Sequence, residues 1–125
     1  MNPADEARRR GRLTDEQRAR LAAGEHATLA RELAAWPAGA RIRPGLQPHA
    51  PNTVSLPVYR AASAFAARDG FPISTHLAET PEEREFIANA SGPQRDLLDS
   101  LGFWDDTELE WIGSGAHPVA HLAAV

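Results

Sequence analysis

The chain has 125 residues, of which 42% are hydrophobic, which is enough for one modest core and too little for two domains. Its 13 Lys and Arg against 17 Asp and Glu give a net charge of −4, which excludes a general attraction for nucleic-acid phosphates and anionic lipids. The lack of cysteine excludes disulfides and thiolate zinc sites, and no apolar run is long enough for a membrane span. We therefore expect one cytoplasmic domain without a nucleic-acid or membrane partner.

The first third of the chain is predicted to be helical after a polar lead. Residues 1–12 are polar and Arg-rich, and we expect them to be disordered or to form a solvated helix face. A capping-box signature at 14–17 and leucines that recur among alanines up to Trp36 indicate one helix, or two short helices broken near Gly24. Pro37 ends this helical pattern.

The next segment is predicted to form a strand, a helix and a second strand. Ile42 and Leu46 indicate a short, irregular strand over Arg41–Gln47, and a second strand follows at Pro72–His76. Between them a helix begins at Ser55 and ends at Gly70. The apolar face predicted for this helix consists of Val58, Ala61, Ala62, Phe65 and Ala66. A helix of this length between two strands favours a right-handed βαβ unit with parallel strands.

A further helix is predicted directly after the second strand. Thr80 is its N-cap, Pro81 is its first residue, and Glu83 completes a capping box. Phe86 and Ile87 supply its apolar face.

The last part of the chain is predicted to contain one helix over Pro93–Leu101 and a second short helix after Pro118. Phe103 and Trp104 are expected to anchor this part in the core, because aromatic side chains bury the most area. His117 and His121 are four residues apart, a spacing that could place a metal pair on one helix face, although a proline between them favours a structural role.

Candidate chemistry lies where the two predicted strands end. His76 and Glu79 follow the second strand, and His49 follows the first. In alternating β/α proteins this edge of the sheet is where ligands bind, and an imidazole with a carboxylate can ligate a metal and move a proton. The alternatives are a hydrogen-bonded loop histidine, a solvated loop glutamate and a structural turn around His49.

These residues carry a resemblance to a known family. The segments 45–51 and 76–83, with a helix between them, resemble the amidohydrolase superfamily in its branch of cytosine deaminases, S-adenosylhomocysteine deaminases and chlorohydrolases. The resemblance covers residues 41–122. It implies an α/β fold in which the chain is a partial (β/α)8 TIM-barrel fragment around the fourth and fifth strands, one incomplete domain over residues 1–125.

The resemblance also implies roles for individual residues. His76 resembles the fifth-strand ligand of one divalent ion, zinc or iron. Glu79 resembles the carboxylate that takes a proton from water and passes it to the leaving nitrogen, and it contacts substrate in doing so. His49 resembles the substrate-contacting histidine of the fourth strand. Relatives usually carry Tyr where this chain has Asn52, which affects the expected substrate and not the metal.

The family's remaining metal ligands have no match in this sequence, which lacks the His-x-His pair and the Asp of the eighth strand. We therefore expect a fragment of a metal-dependent deaminase of purine, pyrimidine or triazine-like rings, inactive by itself, with a small heterocyclic substrate and a homo-oligomeric parent. One alternative is a non-catalytic fragment that acts only by associating with a partner or a second copy. Another is a small binding module with a structural metal at His49 and His76.

Overall fold

The computed structural model describes residues 27–37, 39 and 41–125. The predicted lead at 1–12 and the first part of the predicted N-terminal helix lie outside these residues. The chain divides into two compact units, Met1–Pro44 and Gly45–Val125, which are described separately. No helix in the described part is both long and apolar enough to cross a membrane.

In the first unit, residues 27–34 form helix α1, so the described part of the predicted N-terminal helix is confirmed. The chain then turns, and the Trp36 indole Nε1 donates a hydrogen bond of 2.9 Å to the carbonyl oxygen of Ile42. This bond gives the indole N–H a partner and joins the two ends of the segment 36–42, which follows α1.

The second unit begins with a parallel pairing of two extended segments. Leu46 and Ile73 form an isolated parallel β-bridge. The Leu46 amide donates to the Pro72 carbonyl at 2.9 Å, and the Ser74 amide donates to the Leu46 carbonyl at 3.0 Å. The parallel direction agrees with the prediction, because helix α2 (Leu56–Asp69) lies between the two segments in the chain.

The predicted extents of the two strands, Arg41–Gln47 and Pro72–His76, are wrong, because the pairing is limited to one bridge in the described part of the chain. Proline explains the difference. Pro44, Pro48 and Pro72 have no amide proton, so each removes a donor that a longer ladder would use.

Helix α2 has the predicted end, and its buried face agrees with the prediction at Phe65 and Ala66 only. Pro57 lies in its first turn and Gly70 ends it in the left-handed conformation with φ of 72°. Ser55 occupies the N-cap position, but its side chain makes no capping hydrogen bond, contrary to the prediction. Val58, assigned to the apolar face, is 53% exposed. The buried residues of α2 are Leu56, Tyr59, Phe65 and Ala66.

The rest of the second unit is helical. Helix α3 covers Pro81–Asn89, α4 covers Pro93–Ser100, a 3-10 helix covers Asp106–Glu110, and α5 covers Pro118–Ala123. Helix α3 packs against both α4 and α5. The bounds of α3 and α4 and the start of α5 agree with the predicted helices to within about two residues, the usual uncertainty of helix ends. The 3-10 helix lies where no helix was predicted.

The hydrophobic core of this unit surrounds α3. It consists of Phe86, Ile87, Ala90, Trp104 and Ile112, with Leu98 and Trp111 packed against it. The Phe86 and Trp104 rings meet edge to face, with centroids 6.2 Å apart. Phe86, Ile87 and Trp104 are therefore buried as predicted. Phe103 is 72% exposed, contrary to the prediction, because neighbouring residues of an extended segment point to opposite sides.

Candidate functional site

The backbone of the site is fixed where the two extended segments end. The His49 carbonyl accepts a hydrogen bond from the His76 amide at 2.9 Å and another from the Thr75 hydroxyl at 3.1 Å. The Tyr59 hydroxyl lies 2.6 Å from Thr75 Oγ1. The other partners of the Thr75 hydroxyl are the carbonyl oxygens of His49 and His76, at 3.1 and 3.2 Å, which can only accept. An arrangement in which Tyr59 donates to Thr75 and Thr75 donates to a carbonyl oxygen therefore uses both hydroxyl protons. A hydroxyl of α2 thus holds together the residues that carry both histidines.

Burial raises the pKa of Tyr59, the hydrogen bond with Thr75 opposes this rise, and the charge of Glu83 adds to it. The phenol therefore keeps its proton at neutral pH and remains a donor. Sequence analysis missed both hydroxyls, because Tyr59 and Thr75 are 16 residues apart and their pairing depends on the fold.

The side chains of His76, Glu79 and His49 come together at this edge. His76 Nδ1 lies 3.1 Å from Glu79 Oε1, and the two side chains are 48% and 58% exposed. The His49 ring lies against the His76 ring, with centroids 5.4 Å apart and planes at 69°. His49 Nδ1 is 2.7 Å from Thr53 Oγ1, which fixes the orientation of its ring. The structure therefore brings together the three residues that the sequence selected.

Gln47 adds a fourth side chain, which sequence analysis did not select. Its amide Nε2 is 3.4 Å from His76 Nε2. The tautomer with the ring proton on Nδ1 satisfies both contacts, with Gln47 donating to Nε2 and Nδ1 donating to Glu79. In this tautomer the lone pair of His76 lies on Nε2. Gln47 could have been found from its spacing, since residues 47 and 49 lie on the same side of an extended chain.

The loop between His76 and α3 turns sharply at Ala78, a non-glycine residue with φ of 55°. The Glu79 amide that follows donates to Glu83 Oε2 at 2.7 Å, and Thr80 Oγ1 accepts from the Glu83 amide at 3.1 Å. The Thr80 half of the predicted capping box is confirmed. The Glu83 half is wrong, because its carboxylate binds the amide of Glu79 and not that of Thr80.

The described residues do not complete a metal site. No cluster of three or more His, Cys, Asp or Glu side chains that could hold an ion occurs among residues 27–37, 39 and 41–125. A zinc or iron centre of the expected kind needs about three or four protein ligands. His76 can be one of these ligands, but the described residues do not supply the others and so do not fit the metal centre.

His117 and His121 also fail to form a metal pair. His117 is the N-cap of α5, and its Nδ1 accepts the amide proton of Val119 at 3.2 Å. His121 is buried, and this burial lowers its pKa. Both residues therefore serve the structure of α5.

A cavity of about 540 Å³ lies in the second unit, and Thr53, the hydrogen-bond partner of His49, is among its lining residues. Phe86, Trp104 and His121 are among the side chains that line it, and His49, His76 and Glu79 are not. The His76 and Glu79 side chains are about half exposed, so the candidate site is open to solvent.

Comparison with known proteins identifies relatives over part of the chain. It is 44% identical to the aminodeoxyfutalosine deaminase of Deinococcus radiodurans over 52 residues, and this match covers 42% of this chain and 12% of that protein. It is 36% identical over 80 residues to the 8-oxoguanine deaminase of Pseudomonas aeruginosa, 63% of this chain and 17% of that protein. It is 37% identical over 67 residues to the 5'-deoxyadenosine deaminase of Methanocaldococcus jannaschii, 53% of this chain and 16% of that protein.

The chain thus spans between 12% and 17% of the length of these relatives. A match of 80 residues within a chain of 125 must include residues 49–79 wherever it begins, so the Pseudomonas relative aligns with the whole candidate site. No family model matches the chain, and no solved structure gives a significant match. The curated relatives are deaminases, and they confirm the resemblance of this chain to the deaminases of the amidohydrolase superfamily.

Proposed function

We propose that the chain is a section of a metal-dependent cytoplasmic deaminase that hydrolyses the C–N bond of an amino-substituted purine, pyrimidine or triazine-like ring, and that it is inactive alone. The observation that carries the proposal is the pairing of His76 and Glu79 at 3.1 Å beside His49, in a chain whose relatives are named as deaminases. A purine ring is preferred, because the 8-oxoguanine and 5'-deoxyadenosine named for two of the relatives both contain a purine ring.

The side chains at this edge can perform the proton transfers of the reaction. Water adds to the ring carbon that carries the amino group, Glu79 accepts the proton of that water, and the same proton passes to the nitrogen, which leaves as ammonia. His49 contacts the ring of the substrate. A half-exposed carboxylate within hydrogen-bond distance of an imidazole is placed to receive a proton and to pass it on.

The proposal includes a zinc or iron ion, and the described residues do not supply all of its ligands. His76 would supply one ligand, through the Nε2 lone pair that faces Gln47. The other ligands would come from outside the described residues, as expected for a partial (β/α)8 barrel. The parallel bridge between Leu46 and Ile73, with α2 between them, supports that architecture.

A hybrid protein tests the role of Glu79. Residues 45–90 would replace the corresponding segment of the Pseudomonas 8-oxoguanine deaminase, and Glu79→Gln would be compared with Glu82→Gln, an exposed carboxylate three residues away. We expect the first variant to lower kcat by about 10²–10⁴-fold at unchanged metal content, and the second to have no effect. An unchanged rate in Glu79→Gln would contradict the proposed role, and a loss of metal would make Glu79 a ligand.

The coding sequence on both sides of the gene provides a second test. The proposal expects an in-frame His-x-His pair upstream and an Asp at the end of a strand downstream, since these supply the ligands that the chain lacks. Unrelated genes on both sides would contradict it.

Association without catalysis remains the second candidate. Ile73, at the bridged edge, is 43% exposed, and Phe103 is 72% exposed, so apolar surface is available for a partner or a second copy. Sedimentation of the purified chain tests the second candidate in its self-associating form: a monomer at all concentrations would contradict self-association.

A further inference from the structure

Glu83 is the most deeply buried carboxylate among the described residues, with 2% of its surface exposed. Its Oε2 accepts the Glu79 amide proton at 2.7 Å, a short bond of the charge-assisted kind. Its Oε1 is buried and accepts no hydrogen bond from the described residues. A buried carboxylate oxygen without a partner destabilises the folded state, so the residue is not explained by stability alone.

A helix-capping role does not account for this geometry. A capping glutamate would bind the amide of Thr80, the N-cap residue, and would remain in solvent. Glu83 instead binds the amide of Glu79, one residue earlier, and is buried. The Glu83 amide donates to Thr80 Oγ1 at the same time, at 3.1 Å. Hydrogen bonds therefore hold both the backbone and the carboxylate of Glu83.

The bond to Glu79 stabilises a turn that is otherwise unfavourable. Ala78 has φ of 55°, a conformation that costs a residue with a side chain free energy relative to the right-handed region. This turn directs the chain so that the Glu79 carboxylate returns to within 3.1 Å of His76 Nδ1. Without an acceptor for the Glu79 amide, Ala78 can relax, and the carboxylate can move away from His76.

We propose that Glu83 is a positioning residue, whose buried carboxylate holds the Glu79 amide and the turn at Ala78 and thereby sets the Glu79 carboxylate against His76. Its effect on reaction rate rests on the proposed function, whereas its effect on geometry does not. Gln at position 83 can still accept the Glu79 amide proton through its carbonyl oxygen. Met has a similar shape, and its thioether sulfur is only a weak acceptor.

The experiment compares Glu83→Met, Glu83→Gln and the exposed control Glu82→Met in the full chain by NMR. The readouts are the Glu79 amide proton shift, the three-bond coupling that reports φ of Ala78, and the ring ¹⁵N shifts that report the His76 tautomer. We expect Glu83→Met to lose the downfield Glu79 amide shift and the Nδ1–H tautomer without a loss of helix content, and Glu83→Gln to keep both. Unchanged readouts in Glu83→Met, in a chain that retains its helices, would overturn the proposal.

The same variants in the hybrid with the Pseudomonas enzyme test the effect on the reaction rate. The hybrid also provides a test if the isolated chain does not fold. Misplacement of a catalytic group by about 1 Å can lower the rate by about 10²-fold, so Glu83→Met should lower kcat by up to that factor with KM unchanged, and Glu83→Gln should restore it. An equal kcat in Glu83→Met and Glu82→Met would overturn the catalytic part. If Glu79→Gln itself left kcat unchanged while Glu83→Met still moved Glu79, the proposed function would fail and the positioning role would stand.

Discussion

Two regions of the second unit differ in how they are stabilised. The core around α3 is held by buried apolar side chains, with Ile87 completely buried and Phe86 packed edge to face on Trp104. The site edge is held by single hydrogen bonds, such as that from His76 to His49, and its side chains are about half exposed. The core thus sets the stability of the unit, and the edge sets the geometry of the candidate chemistry.

Because of this difference, the stability of the unit and the geometry of the site can be changed separately. A core substitution should lower the free energy of unfolding and leave the geometry of His76 and Glu79 unchanged in molecules that remain folded. A substitution of a hydrogen-bonding residue at the edge should move the site at a small cost in stability. Glu83 and Tyr59 combine both features, since each is buried and each hydrogen-bonds a residue of the site edge, Glu79 and Thr75 respectively.

Ile87→Ala should produce the largest loss of stability. The side chain is fully buried in α3, so its truncation removes apolar contacts and leaves a cavity, which costs about 2–5 kcal/mol. Urea unfolding followed by far-UV circular dichroism measures this loss. The exposed Leu97→Ala in α4 is the matched control and should change stability by less than about 0.5 kcal/mol. Equal effects of the two variants would contradict the assignment of the core.

Tyr59→Phe should have a smaller effect on stability and a local effect on the site. The variant keeps the buried ring and removes the hydroxyl that binds Thr75, at a cost of about 0.5–1.5 kcal/mol. Amide shifts and exchange rates of the His49 and His76 segment should change, because Thr75 then loses its donor. A double-mutant cycle with Thr75→Val measures the coupling. Strictly additive effects would show that the two hydroxyls do not act as a unit.

Local chemistry explains why the sequence predicted the helices well. Pro81 begins α3, Thr80 caps it, and Gly70 ends α2 in the left-handed conformation. Each of these signals acts within a few residues of its own position, so the bounds of a helix can be inferred without knowledge of the fold. The parallel direction of the bridge followed in the same way, from the helix between the two segments.

The parts that the sequence did not predict depend on contacts between distant residues. Pro72 has no amide proton, yet its effect on the strand pairing depends on which residue lies opposite. Of Phe103 and Trp104, the sequence cannot tell which one faces the core, since the answer depends on how the chain leaves α4. The Glu83 carboxylate was expected at Thr80, and burial beneath the turn at Ala78 placed it on Glu79.

The smallest predicted effect is on the pH dependence of stability, through His121 in α5. Burial lowers the pKa of its imidazole from the ordinary value of 6.5. Above about pH 6.5 the imidazole is neutral in both the folded and the unfolded chain, so it has no effect there. Below that pH the unfolded chain binds a proton that the folded chain resists, and stability falls until the pH reaches the lowered pKa.

We therefore expect the urea midpoint to be higher at pH 8 than at pH 5.5, with His121 responsible for part of the difference. His121→Phe keeps an aromatic ring in the buried position and cannot bind a proton, so this variant should show a smaller difference between the two pH values. His117→Asn is the matched control, because His117 is exposed and Asn retains an acceptor at the N-cap of α5. If His121→Phe kept the full difference, the pH dependence would arise from other groups, and burial of His121 would have no role in it.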